Sequence, residues 1–113
     1  MTNPSTTPQG NVKGNWVLAP TLTPSAIGAT TTSEQTFTVN GIQLGDMVDV
    51  YVNAPTAGIT ITNSRVSAAN TLAIQFANIS TGTLTPTAST VYIVGVTRPE
   101  NLTNNVSNLT QIT

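Results

Sequence analysis

The sequence predicts an all-β fold: a single β-sandwich, with either a jelly-roll or an immunoglobulin-like Greek-key order left open. Three observations carry that reading. Thr supplies 23 of the 113 residues, and with Asn, Ser and Gln it makes 48 uncharged polar side chains, a composition in which strand-forming Thr is punctuated by turn-forming Asn and Gly. Apolar and polar residues alternate over several short runs, the period of a half-buried strand. Stretches containing Gly, Pro or Asn separate those runs at close intervals, as in antiparallel sandwiches.

Taken in order, residues 1–15 read as an extended arm, because the Pro-, Thr- and Asn-rich stretch from Met1 to Gly10 has almost nothing to bury. A sandwich domain follows over residues 16–98. It opens with Trp16-Val17-Leu18, where the lone Trp suits an anchor at the edge of the core. Residues 21–33 are rich in Thr, Ala and Ser and hold at most a short edge strand. From Gln35 the alternation is clear, with Phe37 and Val39 set against Thr36 and Thr38. Asn40-Gly41 breaks that strand, and Gly41 and Gly45 mark a loop that needs positive φ.

Met47–Asn53 is the next strand, with Val48, Val50 and Val52 on one face and Met47, Asp49 and Tyr51 on the other. After the turn at 54–58, Ile59 begins a strand that runs to about Val66. The loop Ser67–Asn70 then leads into Thr71–Asn78, where Leu72, Ile74 and Phe76 share a face. Residues 79–89, with Gly82 and Pro86, form a connection long enough to cross between sheets. Thr90–Thr97 is the most apolar strand and belongs at the centre of its sheet. Residues 99–113 read as a tail. Leu102, Val106, Leu109 and Ile112 have a helix-like spacing there, but the Asn, Ser and Thr between them are poor helix formers.

Composition excludes more chemistry than it proposes. Charged residues make up 6 % of the chain, against about 25 % in an ordinary soluble domain. With no Cys there is no disulfide framework or thiolate nucleophile, and with no His the side chain that titrates near neutrality is missing. Asp46 and Asp49 are three apart at a strand start, so they should face opposite ways, and Asp46 suits a turn residue that accepts backbone hydrogen bonds. Glu34 and Glu100 have no neighbouring base or cation in the sequence to tune them. Four carboxylates are too few for an oxygen-ligated calcium site. No catalytic residue, metal ligand or cofactor is therefore assigned, and the chain does not read as an enzyme.

Lys13, Arg65 and Arg98 are scattered in a chain of pI about 4.8, which does not make a nucleic-acid surface. The longest apolar run, Val91–Val96, is too short to cross a membrane as a helix. Met1–Gly10 lacks the basic and apolar regions of a signal peptide. The Asn-X-Ser/Thr triplets beginning at Asn78, Asn101, Asn105 and Asn108 are what chance gives in so Asn- and Thr-rich a chain. Trp16, Lys13, Arg65 and Arg98 are the candidate partner-contact residues, since Trp and Arg are the side chains that dominate interfaces.

Three blocks carry a resemblance. Gly41-Ile-Gln-Leu-Gly45-Asp46 leads into the Val-rich strand, Arg65-Val-Ser-Ala-Ala-Asn-Thr71 opens a hairpin, and Tyr92-Ile-Val-Gly-Val96 follows a Thr85-Pro-Thr-Ala88 connection. Over residues 36 to 97 the chain resembles the small β-sandwich capsid decoration or cement proteins of tailed bacteriophages, and related tail or fibre modules. The resemblance implies a homotrimer on the outer surface of the capsid, made in the host cytoplasm, that binds and bridges major capsid protein subunits. It implies no nucleic-acid or membrane partner. The alternative within the same resemblance is a tail- or head-fibre module that binds the host surface, with Tyr51 or Trp16 on a rim suited to glycan.

Overall fold

Thr90–Pro99, the most apolar stretch of the sequence, is the strand around which one sheet assembles. In the computed structural model, which describes residues 12–100, seven strands form: β1 (Val12–Leu18), β2 (Thr21–Leu22), β3 (Thr32–Thr38), β4 (Met47–Val52), β5 (Ile59–Ala68), β6 (Thr71–Asn78) and β7 (Thr90–Pro99). The expected all-β sandwich is what they build. β7 is flanked on one side by β4 and on the other by β1 and then β2, while β6 sits between β3 and β5 in the second sheet. All pairings are antiparallel.

Alternation sets the registers. Tyr92, Val94 and Val96 point inward and are at most 3 % exposed. β4 places Val52, Val50 and Val48 opposite them, so branched side chains stack on branched side chains across the sheet. The partner sheet answers with Leu72, Ile74 and Phe76 from β6, all buried. Each such side chain contributes roughly 1.5–3 kcal/mol when fully buried. Leu22, Ile27, Val39 and Ile42 close the core from the short β2 and the connections. Ile27 does so from an otherwise polar stretch, held by backbone hydrogen bonds in both directions with Leu84 at 2.7 and 3.1 Å.

The connection over residues 79–89 crosses from the second sheet to the first, as its length suggests. Its start is fastened by Asn78, which is 2 % exposed. Asn78 Nδ2 donates to the carbonyls of Ile27 and Gly82, both at 2.9 Å. Its Oδ1 accepts from the Ser80 backbone N–H at 2.9 Å and lies 2.7 Å from the Ser80 hydroxyl. A buried amide with its polar atoms matched stabilises, whereas an unmatched one would cost. Gly41 and Gly45 adopt φ of 101° and 96°, as a loop of two positive-φ glycines requires. The β5–β6 hairpin turns through Asn70 at φ 59°, and Asn70 Oδ1 accepts the Gly41 N–H at 2.8 Å. The hairpin tip and the 40–46 loop thereby hold each other.

The structure moves several boundaries. β1 starts at Val12, inside the stretch assigned to the arm, and pairs with β7 along Val12–Leu18. β3 starts at Thr32 rather than Gln35, and β7 extends to Pro99. The remaining arm residues, 1–11, and the tail residues 101–113 lie outside the described part. β6 departs from simple alternation, because Ala73 and Ala77 on its outer side are buried as well. Ala73 lies between Thr36 of β3 and Arg65 of β5, whose longer side chains cover it.

Candidate contact site at the Trp16 edge

Strand β1 presents Gly14, Trp16 and Leu18 toward the inner side of its sheet, opposite Arg98, Val96 and Val94 of β7. Glycine at position 14 leaves room for the indole, since a Cβ there would stand 3.1 Å from Trp16 Cζ2. Arg98 lies over the ring with its guanidinium carbon 4.8 Å from the ring centroid, within cation–π range.

The guanidinium is also held by an ion pair. Arg98 Nε and Nη2 donate to the two carboxylate oxygens of Asp46, each at 2.8 Å, and Nη2 also donates to the Gly41 carbonyl at 2.7 Å. Asp46 is the buried member, with its side chain 1 % exposed against 17 % for Arg98. Its Oδ2 further accepts the Gln43 backbone N–H at 3.0 Å, the turn role its sequence position suggests. Hydrogen bonds from Arg98 hold the Asp46 carboxyl below the usual carboxylate range and outweigh burial, which pushes the other way; the Gln43 N–H adds to the lowering. The same pairing raises Arg98 above its ordinary value.

Trp16 remains 42 % exposed, so it is a rim residue with only part of its ring packed, not a core anchor. Together with Leu18, Asn40, Gly41, Ile42, Val96 and Arg98 it lines a cavity of about 190 Å³. Ile42 and Val96 at its base are buried. The result is an aromatic plate beside an apolar hollow, its orientation fixed by an ion pair. A preorganised side chain loses less freedom on contact with a partner, and Trp and Arg are among the residue types enriched at energetic centres of interfaces.

Of the four candidate contact residues, Trp16 and Arg98 come together here, and Lys13 lies exposed on the same strand at an irregularity in the β1–β7 register. Arg65 does not join them. On β5 in the other sheet, its Nε and Nη2 donate to Glu34 Oε2 and Oε1, both at 2.9 Å. The expectation that Glu34 lacks a neighbouring cation is thus overturned: β3 and β5 flank β6, and the pair spans that strand over Ala73. Hydrogen bonds from Arg65 lower the Glu34 carboxyl and raise the guanidinium in return. The pair is largely exposed and serves as a strap across the sheet rather than as a site.

Asp46 and Asp49 diverge as the spacing predicts. Asp46 turns in to Arg98, whereas Asp49 is exposed on β4 opposite Gly95. Tyr51 stands 63 % exposed on the same strand, with Met47 also exposed. Asn78 is buried with its amide engaged, so its triplet is no glycan acceptor in the folded chain; the triplets at 101, 105 and 108 lie outside the described residues. Among the described residues no group of three or more potential metal ligands gathers. Sequence reasoning missed the Asn40–Ile42 wall of the hollow and the role of Gly14. For Gly14 a signal existed: it stands two residues before Trp16, on the same face of a strand.

Fold and site together define a β-sandwich with an apolar hollow beside a half-exposed Trp at one edge. Beyond that class, comparison with known proteins gives no match: no family model, no curated protein and no solved structure matches the chain.

Proposed function

We propose that this protein is a non-enzymatic structural module of a bacteriophage virion, a capsid decoration or cement protein that binds and bridges major capsid protein subunits. The observation that carries the binding role is the Trp16 plate, exposed yet fixed by the Arg98–Asp46 pair beside an apolar hollow. The choice of capsid as partner follows from the resemblance over residues 36 to 97. Its low charge fits contacts that depend little on salt, and repetition over a shell lets individually weak contacts sum to a strong attachment.

Cryo-electron microscopy of particles from the phage that encodes the chain tests the reading. Many copies at symmetry-related positions on the shell, with Trp16 at the contact, are expected. A few copies confined to the tail or a vertex would favour the fibre module, and particles without the chain would overturn both. Trp16→Ala is expected to leave the fold intact and to release the protein from particles, which should then lose DNA at a lower temperature.

A further inference from the structure

Asn40-Gly41 is the one Asn-Gly pair in the chain, and it stands at an exposed turn between two buried side chains, Val39 and Ile42. The pair carries its own chemistry. An asparagine amide is a weak electrophile, and the backbone nitrogen of the residue after it can close a five-membered ring on its Cγ. A following glycine favours that closure, because no Cβ crowds the nitrogen and the backbone turns freely. At Gly41 the space is open, with nothing within 4 Å of an added Cβ.

Asn70 opposes the closure. From the β5–β6 turn this one residue makes three hydrogen bonds to residues 39–42. Its carbonyl accepts the Val39 N–H at 2.9 Å, its N–H donates to the Ile42 carbonyl at 2.8 Å, and its Oδ1 accepts the Gly41 N–H at 2.8 Å. The third bond holds the attacking nitrogen itself. Arg98 Nη2 donates to the Gly41 carbonyl at 2.7 Å, so both backbone polar atoms of Gly41 are engaged.

We propose that Asn40 is a site of spontaneous deamidation, guarded in the folded chain by Asn70. When the hairpin tip releases the loop, the Gly41 nitrogen loses its proton and attacks Asn40 Cγ. The N–Cγ bond forms, the Cγ–Nδ2 bond breaks, and ammonia leaves with that proton. Water then opens the succinimide at either carbonyl and leaves aspartate or isoaspartate at position 40. Both products bring a negative charge to the wall of the hollow that Asn40 shares with Trp16 and Arg98, where it competes with Asp46 for the guanidinium. Isoaspartate also adds a methylene to the main chain between the buried Val39 and Ile42. The inference stands apart from the capsid reading, because it rests on the backbone of residues 39–42 and not on a partner.

Peptide mapping by mass spectrometry tests it on the full chain, incubated at neutral pH in buffer and in urea. Asn40 is expected to convert first among the asparagines in urea and to lag in buffer. Asn70→Gly keeps the turn, whose φ is 59°, and both backbone bonds, but removes the side-chain acceptor. Folded, it should convert Asn40 about two- to tenfold faster than the parent chain, the range that one hydrogen bond supplies. Asn70→Asp keeps an oxygen in that place and tolerates the same φ, so it should stay close to the parent rate. Amide exchange at Gly41 in the parent chain gives a readout that needs no variant, and slow exchange is expected. Equal conversion in buffer and urea, an Asn70→Gly chain as slow as the parent, an Asn70→Asp chain as fast as Asn70→Gly, or Gly41 exchange as fast in buffer as in urea would each overturn the proposal.

Discussion

Asp46 shows how much one side chain settles in a chain with four carboxylates. Buried, it needs a full set of donors, and it obtains them from Arg98 and the Gln43 N–H; Arg98, once fixed, lies over Trp16. Asp46→Asn keeps the shape but removes the charge, which leaves the guanidinium without its counter-ion. A lowered thermal midpoint and a red-shifted emission of the lone Trp are expected, and an unchanged spectrum would show that the ring is held by other contacts. Asn78 plays the corresponding role without charge. Asn78→Ala strands the Ser80 N–H and takes one of two donors from the Gly82 carbonyl, and a loss of about 1–3 kcal/mol is expected from urea denaturation.

At the scale of elements, the strands follow from period-2 alternation, but the turns decide how they join. Gly58 is the sharpest case, because it combines φ of 89° with a neighbour, Leu84 Cδ1, that would stand 2.8 Å from an added Cβ. Gly41 has a similar φ of 101° with nothing within 4 Å. Gly58→Ala is therefore expected to destabilise more than Gly41→Ala, which carries only a backbone penalty of about 1–2 kcal/mol. Comparison of the two denaturation midpoints at constant m-value checks the difference. Packing gives a larger effect: Leu72→Ala at the centre of β6 is expected to cost about 2–5 kcal/mol in the same measurement. The alternation in Thr71–Asn78 shows in the sequence that Leu72, Ile74 and Phe76 share a face. It does not show that Ala73 is covered too, because that depends on Arg65 and Thr36 arriving from strands on either side.

For the molecule as a whole, stability should depend on pH only at the extremes. Without His or Cys, no side chain changes charge near neutrality in its ordinary state. Asp46 and Glu34 titrate lower in the folded chain than unfolded, so the stability they contribute is present above about pH 4, their unfolded range, and is lost as pH falls through the lower folded values. Tyr92 is raised by burial above its ordinary value of 10.0, and its contribution is present below that value and is lost as pH rises beyond it. A thermal midpoint flat from about pH 5 to 9 and falling on either side is expected. A step near pH 6.5 would contradict it.

The sequence by itself determined that the chain is built of strands, that Val48, Val50 and Val52 share one face and Leu72, Ile74 and Phe76 another, that Gly41 and Gly45 take positive φ, and that the chain holds no His or Cys. These are local properties: side-chain alternation and backbone dihedrals are set within a few residues. Only the tertiary structure decided that β1 pairs with β7, that Glu34 meets Arg65 and Asp46 meets Arg98, and that β4 and β5 lie against each other. Such contacts join residues as far apart as Asn15 and Thr97, separated by 82 positions yet hydrogen-bonded at 2.7 Å. Which strand neighbours which depends on the order in which the sheets are laid down, and no local periodicity carries that order.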